Sequence, residues 1–226
     1  MAKFYLIGGH DFDLKSNYIQ SELISLSNKD KPKILLFPTA SFDSDKTINN
    51  FKKEFENLNY DLDIVYLYKS PNINEIKDKI LTSDIIYFTG GNTKKFYEFL
   101  TNSGYDELLY FMAKIDKIIA GTSAGAIIFC KYGLGDSESY YDNGQYYNYK
   151  KVLGLGILDI AFCPHFNLGD RILYFKDILT EIDIAYALSN DTALLIDEDN
   201  VIFFKVNNKF NIYKFEKEKD YMMEKL

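Results

Sequence analysis

Short runs of apolar residues alternate with amphipathic segments through the first part of the chain. Runs without polar alternation predict strands buried on both faces, and apolar residues every three or four positions predict helices. The predicted strands are 4–7, 34–37, 62–67 and 85–88, with a further strand starting at Lys117. The predicted helices are 17–26, 45–58, 73–81, 93–100 and 105–115. This order indicates an α/β fold around a mostly parallel sheet.

The last part of the chain follows a different pattern. A strand at 160–166, a helix at 170–179 and a strand at 185–188 are expected first. Three short apolar runs at 193–196, 201–206 and 210–215 are then separated by Asp- and Asn-rich turns. Such spacing favours a small antiparallel addition at one sheet edge. Because no repeat or linker is visible, residues 1–226 are interpreted as a single domain.

Charge and composition argue against several classes of partner. The net charge is −7 and no basic block stands out, so nucleic-acid binding is not expected. No segment approaches the roughly 18 apolar residues of a membrane span, and the first apolar run is too short for a signal peptide. We therefore expect a cytoplasmic protein. No phosphate-binding loop is present, so no nucleotide cofactor is expected.

The cysteines and histidines do not form a metal-binding pattern. Cys130 and Cys163 lie in apolar stretches and are expected to be buried free thiols. Cys163 and His165 would supply two ligands, but no second Cys/His pair completes a set. The sequence therefore predicts neither a disulfide framework nor a metal or other cofactor.

The segment Gly121-Thr122-Ser123-Ala124-Gly125 fits the nucleophile elbow G-x-S-x-G. An apolar strand precedes it and an apolar helix follows. In such a turn the flanking residues must be small, because strand and helix backbone approach each other closely around the serine. The helix aims free N–H groups at the serine, where an oxyanion would form. Ser123 is thus a candidate nucleophile, the alternative being a structural glycine-rich turn.

A second glycine turn follows the strand at 85–88. Gly90-Gly91-Asn92 could present backbone N–H groups beside Ser123, or it could serve only as a turn in which Asn92 caps the next helix. The two interpretations are compatible. The carboxyl ends of parallel strands form the ligand-binding edge of such sheets. Asn92 is therefore also a candidate for substrate binding.

A nucleophilic serine needs a base, and the chain contains only His10 and His165. Both follow predicted strands; His165 is the first choice and His10 the alternative. The third member should be a carboxylate that orients the imidazole. Asp191, after the strand at 185–188, is preferred, and Asp136 and Glu138 are alternatives.

Two further features bear on substrate selection. The segment 132–151 is rich in tyrosine and breaks the strand–helix pattern, which favours a loop acting as a lid or oligomer contact over a β-hairpin. Arg171, the chain's single arginine, could bind a substrate carboxylate through its guanidinium. It could equally pair with Asp170 or Glu181 on a surface helix.

Taken together, these motifs resemble the S51 serine peptidases, the group that contains dipeptidase E and cyanophycinase. The resemblance rests on Gly90-Gly91-Asn92-Thr93, the Ser123 elbow, Pro164-His165-Phe166 and the segment 188–193, in this order and spacing. It implies a class I glutamine-amidotransferase-like α/β fold, a three-layer sandwich with a mostly parallel central sheet. The amidotransferase cysteine is replaced by serine.

The resemblance also implies roles for individual residues. The nucleophile falls on Ser123, the base on His165, and the oxyanion donors on the N–H groups of Gly91 and Ala124. The glutamate of dipeptidase E aligns with Asn190, and Asp191 follows it by one residue.

The implied activity is hydrolysis of small peptides, including those with N-terminal Asp, by a serine exopeptidase through an acyl-enzyme. The substrate would be the principal partner, and a homo-oligomer is compatible with the sequence. A catalytically silent binding or regulatory domain, and an esterase or other amide hydrolase using the same site, are the alternatives.

Overall fold

Two β-sheets form the framework of the computed structural model, which describes residues 1–11, 16–138, 148–167, 170–217 and 224–226. The strands are β1 (Lys3–Ile7), β2 (Lys33–Phe37), β3 (Asp61–Ile64), β4 (Ile85–Phe88), β5 (Ile118–Thr122), β6 (Cys130–Gly135), β7 (Lys150–Leu153), β8 (Leu158–Cys163), β9 (Ile184–Leu188), β10 (Thr192–Asp197), β11 (Asn200–Lys205), β12 (Ile212–Glu216) and β13 (Glu224–Lys225). The helices are α1 (Tyr18–Ser25), α2 (Asp45–Glu54), α3 (Ile73–Thr82), α4 (Thr93–Ser103), α5 (Asp106–Lys114), α6 (Ala124–Ile127) and α7 (Arg171–Leu179).

The central sheet has the strand order β11-β10-β1-β5-β4-β2-β3. Its five N-terminal strands are parallel, as in the pairing of β1 with β5 from Lys3↔Ile118 to Ile7↔Thr122. These strands are apolar on both faces because helices cover each side: in β4, Phe88 packs into one core and Tyr87 into the other. The predicted α/β fold with a mostly parallel central sheet is confirmed.

Helices α1 and α2 cover one face of the central sheet, and α3 to α6 lie on the other. The amphipathic pattern places Ile48 and Phe51 of α2 in the core, with Asp45 in the first turn, where the helix dipole favours a negative charge. Helix α4 begins at the Asn92 cap and ends at Gly104, whose φ of 76° suits glycine. The helices end within four residues of their predicted bounds, since caps and periodicity are local signals.

The second sheet has the order β13-β12-β9-β8-β6-β7 and packs against the same core as α3 to α6. Its outer face is covered by α7. The expectation that the three C-terminal runs form one addition is corrected: β10 and β11 extend the central sheet from β1, while β12 pairs with β9. The connection from β9 to β10, residues 189–191, therefore passes from one sheet to the other.

The predicted irregular segment 132–151 is also corrected at both ends. Its first residues belong to β6 and its last to β7, and these strands pair antiparallel with Gly135 opposite Lys150. This pairing agrees with the hairpin alternative. The proposed lid would consist largely of residues 139–147, which lie outside the described residues.

The structure can be compared with the predictions for the two cysteines and for membrane-spanning segments. Cys130 and Cys163 are free and fully buried, as expected, and burial raises the pKa of both thiols. Among the helices described, none combines the length and apolarity needed to cross a membrane.

Candidate active site

Ser123 lies in a strained turn between β5 and α6. Its φ of 52° and ψ of −114° are unfavourable for a residue with a side chain, so surrounding contacts must hold it. The Ser123 N–H donates to the Ile7 carbonyl at 3.1 Å, and the Ser123 carbonyl accepts from Ala126 and Ile127 at 3.0 Å each. The elbow is therefore fixed on both sides by the central sheet and by the helix it starts.

Both glycines of the elbow are required by close backbone approaches. A Cβ at Gly121 would lie 2.1 Å from the Gly125 carbonyl oxygen, and one at Gly125 would lie 2.3 Å from that of Phe88. These separations are far below van der Waals contact. The spacing of the motif thus has the steric cause expected from the sequence.

His165 connects Ser123 to Asn190. The Ser123 Oγ lies 2.9 Å from His165 Nε2, and His165 Nδ1 lies 2.6 Å from Asn190 Oδ1. Because the amide oxygen can only accept, Nδ1 carries the proton and Nε2 is free to accept from the serine hydroxyl. The three side chains form a Ser-His-Asn relay with the connectivity of a catalytic triad.

The His165 position is held by the two sheets together. It follows β8 of the second sheet with a φ of 53°, and its N–H donates to the Gly8 carbonyl at the end of β1 at 2.8 Å. Burial lowers the pKa of His165 below its usual value, and the charge of Arg171 lowers it further, while the Asn190 hydrogen bond opposes both. A neutral imidazole, the form required of a base, is therefore favoured.

The structure does not bring Asp191 to His165, so its predicted place in the triad is corrected. Asp191 Oδ1 lies 2.9 Å from Nδ1 of His10, and the carboxylate also accepts from the Asp11 N–H at 3.2 Å. Asn190 and Asp191 form the turn between β9 and β10, and their side chains diverge there to two different imidazoles. A φ of 54° at Asp191 directs its side chain towards His10.

The other acidic candidates lie elsewhere. Asp136 lines the cavity beside the elbow but pairs with Arg171 at 3.1 Å. Glu138 pairs with Lys150 at 2.6 Å, and the hydrogen bond from Lys150 lowers the pKa of Glu138. Neither makes a hydrogen bond with His165, so neither replaces Asn190 at the imidazole.

Arg171 is buried rather than exposed, which contradicts both predicted roles. It is 2% exposed, pairs with Asp136, and places its guanidinium 4.4 Å from the centre of the Tyr149 ring. Neither Asp170 nor Glu181 is its partner, and it does not line the cavity. Helix α7 covers the second sheet, so its first residue points into the protein instead of to the surface.

The Gly90-Gly91 turn lies directly against the nucleophile. A Cβ at Gly90 would lie 3.3 Å from that of Ser123, and one at Gly91 would lie 2.1 Å from the Ala40 carbonyl oxygen. Within the described ranges, the N–H groups of Gly91 and Ala124 donate to no other residue. Both amides are thus available for an oxyanion.

Asn92 satisfies both interpretations of its turn. Its side-chain oxygen accepts from the Lys95 N–H at 3.0 Å and caps α4, while its amide donates to the Ser137 carbonyl at 3.0 Å. It also lines the cavity at Ser123. Its side chain therefore shapes the cavity wall, but its polar atoms are engaged within the protein.

A cavity of about 710 Å³ opens beside Ser123 and His165. Sequence reasoning did not identify several of its lining residues: Gly9, Glu54, Tyr87 and Thr89. A Cβ at Gly9 would lie 2.3 Å from the His165 ring and 2.4 Å from Asn190 Oδ1, so only glycine leaves room for the relay. The Gly8-Gly9 turn was the available signal for this position. Glu54 carried no signal, because a glutamate on an amphipathic helix is usually solvated.

Glu54 and His10 form a second group of titratable side chains at the cavity. Burial raises the pKa of Glu54 to about 7; the nearby His10 charge opposes this rise, and the Asp191 charge adds a smaller one. The Asp191 hydrogen bond raises the pKa of His10 above its usual value despite burial. No cluster of three His, Cys, Asp or Glu side chains suited to a metal ion occurs in the portion of the chain that is described.

Comparison with known proteins gives a consistent result. A family model, that of peptidase family S51, matches residues 4–204. Uncharacterized peptidase YgaJ of Bacillus subtilis (strain 168) is 30% identical over 169 residues, covering 74% of this chain and 70% of the relative. Uncharacterized peptidase Lmo0363 of Listeria monocytogenes is 29% identical over 188 residues, covering 78% and 87%.

Solved structures share the fold. The crystal structure of a peptidase from an acI-B1 Actinobacterium superimposes with a TM-score of 0.72 at 19% identity, covering 100% of this chain and 94% of that one. A putative peptidase E protein from Listeria monocytogenes EGD-e gives 0.67 at 24% identity, covering 92% and 100%.

Proposed function

Because the chain belongs to peptidase family S51 and is a serine peptidase, we propose that it is an exopeptidase of short peptides that works through Ser123. The observation that carries the proposal is the continuous relay from Ser123 Oγ through His165 to Asn190, with distances of 2.9 and 2.6 Å. The cavity beside it, about 710 Å³ in volume and lined by α2 and the Gly90-Gly91 turn, suits a short substrate.

In the proposed reaction, His165 Nε2 takes the Ser123 proton as Oγ attacks the peptide carbonyl. The resulting oxyanion accepts hydrogen bonds from the N–H groups of Gly91 and Ala124. One such donor contributes about 2.7–4 kcal/mol to lowering the barrier. His165 then donates its proton to the leaving amine, and water releases the acyl group by the same route.

Asn190 takes the place at which related triads have a carboxylate. Its oxygen fixes the tautomer and orientation of His165, as in Cys-His-Asn proteases, but it cannot neutralise the imidazolium. The transition state therefore depends more heavily on the oxyanion donors and on the helix dipole at Ala124. Because Asn190 carries no charge, its hydrogen bond to His165 only partly opposes the lowering of the His165 pKa by burial.

Dipeptidase activity and a preference for N-terminal Asp are part of the proposal. Arg171 cannot receive the aspartyl carboxylate, because it is buried against Asp136. Among the described residues, Lys46 and Lys95 are the lysines that line the cavity, and an acidic side chain of a substrate would reach one of them. Cytoplasmic location and homo-oligomer formation stay predictions from the sequence.

A fluorophosphonate probe tests the nucleophile directly. We expect one adduct, on Ser123, that is absent from Ser123→Ala and at least tenfold slower to form in His165→Ala. Equal labelling of Ser123→Ala would disprove the assignment of the nucleophile, and absence of any adduct on the wild-type protein would favour the silent-domain alternative.

A substrate panel tests the reaction. Asp-X, Glu-X and neutral dipeptides, the same peptides with a blocked N-terminus, and simple esters are compared by kcat/KM. Hydrolysis of free dipeptides supports the exopeptidase, whereas turnover of esters alone would favour the esterase alternative.

A further inference from the structure

One end of the cavity holds a carboxylate and two hydroxyl groups that the proposed reaction does not use. Glu54 lies at the end of α2, and Tyr87 and Thr89 lie at the end of β4; we call these three residues the Glu54 subsite. Tyr87 is 1% and Thr89 3% exposed. Among the described residues, the Thr89 hydroxyl has no hydrogen-bond partner, and the Tyr87 hydroxyl has only the Thr122 side chain beside it. Buried hydroxyl groups without a partner are unfavourable, so a cavity that contains them is suited to a polar ligand.

Two carboxylates, Asp191 and Glu54, share the charge of one imidazole, His10, which leaves an excess of negative charge at the subsite. Asp191 pairs with His10, and each offsets the other's charge. Glu54 makes neither a hydrogen bond nor an ion pair with any described residue. Lys46 lies eight residues earlier on α2, about 12 Å along the helix axis, too far to compensate Glu54. A cationic ligand would supply the missing charge.

The chemistry of the walls favours an organic ammonium over a metal ion. Too few acidic or imidazole ligands lie together in the described portion to hold a metal. The Phe51 ring lines the same cavity and stands edge-on to Tyr87, with 5.0 Å between ring centres. Aromatic rings together with a carboxylate are a common environment for alkylammonium groups.

The position of the subsite suits a short peptide bound at Ser123. Tyr87 pairs in register with Ala120, three residues before the serine. The separation along the strand is therefore about 10 Å, a distance that suits a lysine side chain of a dipeptide or the N-terminus of a tripeptide or longer peptide. We propose that the Glu54 subsite binds a positively charged ammonium group of the substrate, either its N-terminus or a lysine side chain. This inference rests on the proposed peptidase function and adds the class of substrate.

Binding to the Ser123→Ala variant tests the subsite without requiring catalysis. Three probes with the same C-terminus are compared by calorimetry at pH 8: Ala-Ala-Ala, N-acetyl-Lys-Ala-Ala and N-acetyl-Ala-Ala-Ala. We expect the fully blocked peptide to bind at least tenfold more weakly than one or both of the others. Tighter binding of Ala-Ala-Ala would identify the bound ammonium as the N-terminus, and tighter binding of N-acetyl-Lys-Ala-Ala would identify it as the lysine side chain. Equal affinity for all three probes would overturn the inference.

Variants assign the preference to Glu54. In the Ser123→Ala background, Glu54→Gln should remove the preference for ammonium-bearing peptides over the fully blocked peptide. Tyr87→Phe in the same background should reduce this preference about threefold. Glu56→Gln, the same change at an exposed position outside the cavity, should leave it intact. A preference that persists in both Glu54→Gln and Tyr87→Phe would refute the subsite. Fluorophosphonate labelling of Ser123 in otherwise wild-type protein separates this outcome from failure of the peptidase proposal.

Discussion

Asn190 and Asp191 are consecutive in the chain, yet they bind two different histidines. Asn190 Oδ1 lies 2.6 Å from His165 Nδ1, and Asp191 Oδ1 lies 2.9 Å from His10 Nδ1. One short connection thus supplies a neutral partner to the proposed base and a charged partner to a second imidazole at the same cavity. The two histidines therefore have opposite tendencies: the pKa of His165 is lowered and that of His10 is raised.

Replacing Asn190 should change the pH dependence of the reaction. His165 must be neutral to act as a base, and its lowered pKa means that activity should persist below pH 6.5. In Asn190→Asp the new carboxylate stabilises the imidazolium, so the acidic limb of kcat/KM should move up by about one to two pH units. Asn190→Ala should lower kcat by about 10- to 100-fold through loss of orientation. An acidic limb that stays in place in Asn190→Asp would show that Asn190 does not contact the catalytic imidazole.

Asp191→Asn should behave differently from the loss of a triad acid. Removing such an acid typically lowers kcat by about 10⁴-fold. Because Asp191 pairs with His10, we expect less than a tenfold fall in kcat on an ester substrate. Its carboxylate is buried, so the free energy of unfolding should fall by about 1–3 kcal/mol. Steady-state kinetics and urea denaturation measure the two effects; a loss of several thousandfold in kcat would restore Asp191 to the triad.

Gly9→Ala should damage the relay by displacing His165. The added Cβ would lie 2.3 Å from the His165 ring, so the imidazole must move. Displacement of a catalytic group by about 1 Å can cost about 100-fold in rate, and we expect kcat to fall by that order. Gly104→Ala is the matched control, because its φ is also positive, at 76°, but its Cβ meets nothing within 4 Å. Comparable activity losses in the two variants would indicate backbone strain rather than displacement of His165.

Glu54→Gln should stabilise the protein at high pH. Folding raises the pKa of this carboxyl from 4.5 to about 7, so the unfolded state ionises first as the pH rises. Wild-type stability is therefore lost between pH 4.5 and 7 relative to the glutamine variant, and the full difference persists above pH 7. We expect about 1–3 kcal/mol at pH 8 and almost none at pH 4. Chemical denaturation at both values provides the measurement, with Glu56→Gln as the exposed control; a glutamine variant no more stable at pH 8 would show that Glu54 is not desolvated.

The parts of the site that depend on local chain geometry could be predicted from the sequence. The elbow glycines follow from the space that a tight turn allows, and the positions of the parallel strands and helices along the chain follow from hydrophobic periodicity. The position of His165 after a strand was equally accessible. The distance between His165 and Ser123 could not be predicted, because it depends on how the two sheets pack against each other.

The remaining features depend on long-range contacts or on a single backbone angle. Whether Asn190 or Asp191 faces His165 is decided by the conformation of a three-residue connection, which no sequence pattern specifies. Arg171 is buried because α7 packs on the second sheet, and a short amphipathic helix does not indicate which layer it will cover. The pKa of Glu54 is raised mainly by burial, which depends on how α2 packs on the central sheet rather than on the neighbours of Glu54 in the sequence.

The passage of residues 189–191 from one sheet to the other has a consequence for when activity can first arise during folding. Ser123 belongs to the central sheet and His165 to the second sheet, while Asn190 lies on the connection between them. A partly folded chain in which only the central sheet has formed holds a serine with no base. The relay of Ser123, His165 and Asn190 therefore assembles only once the two sheets have packed together.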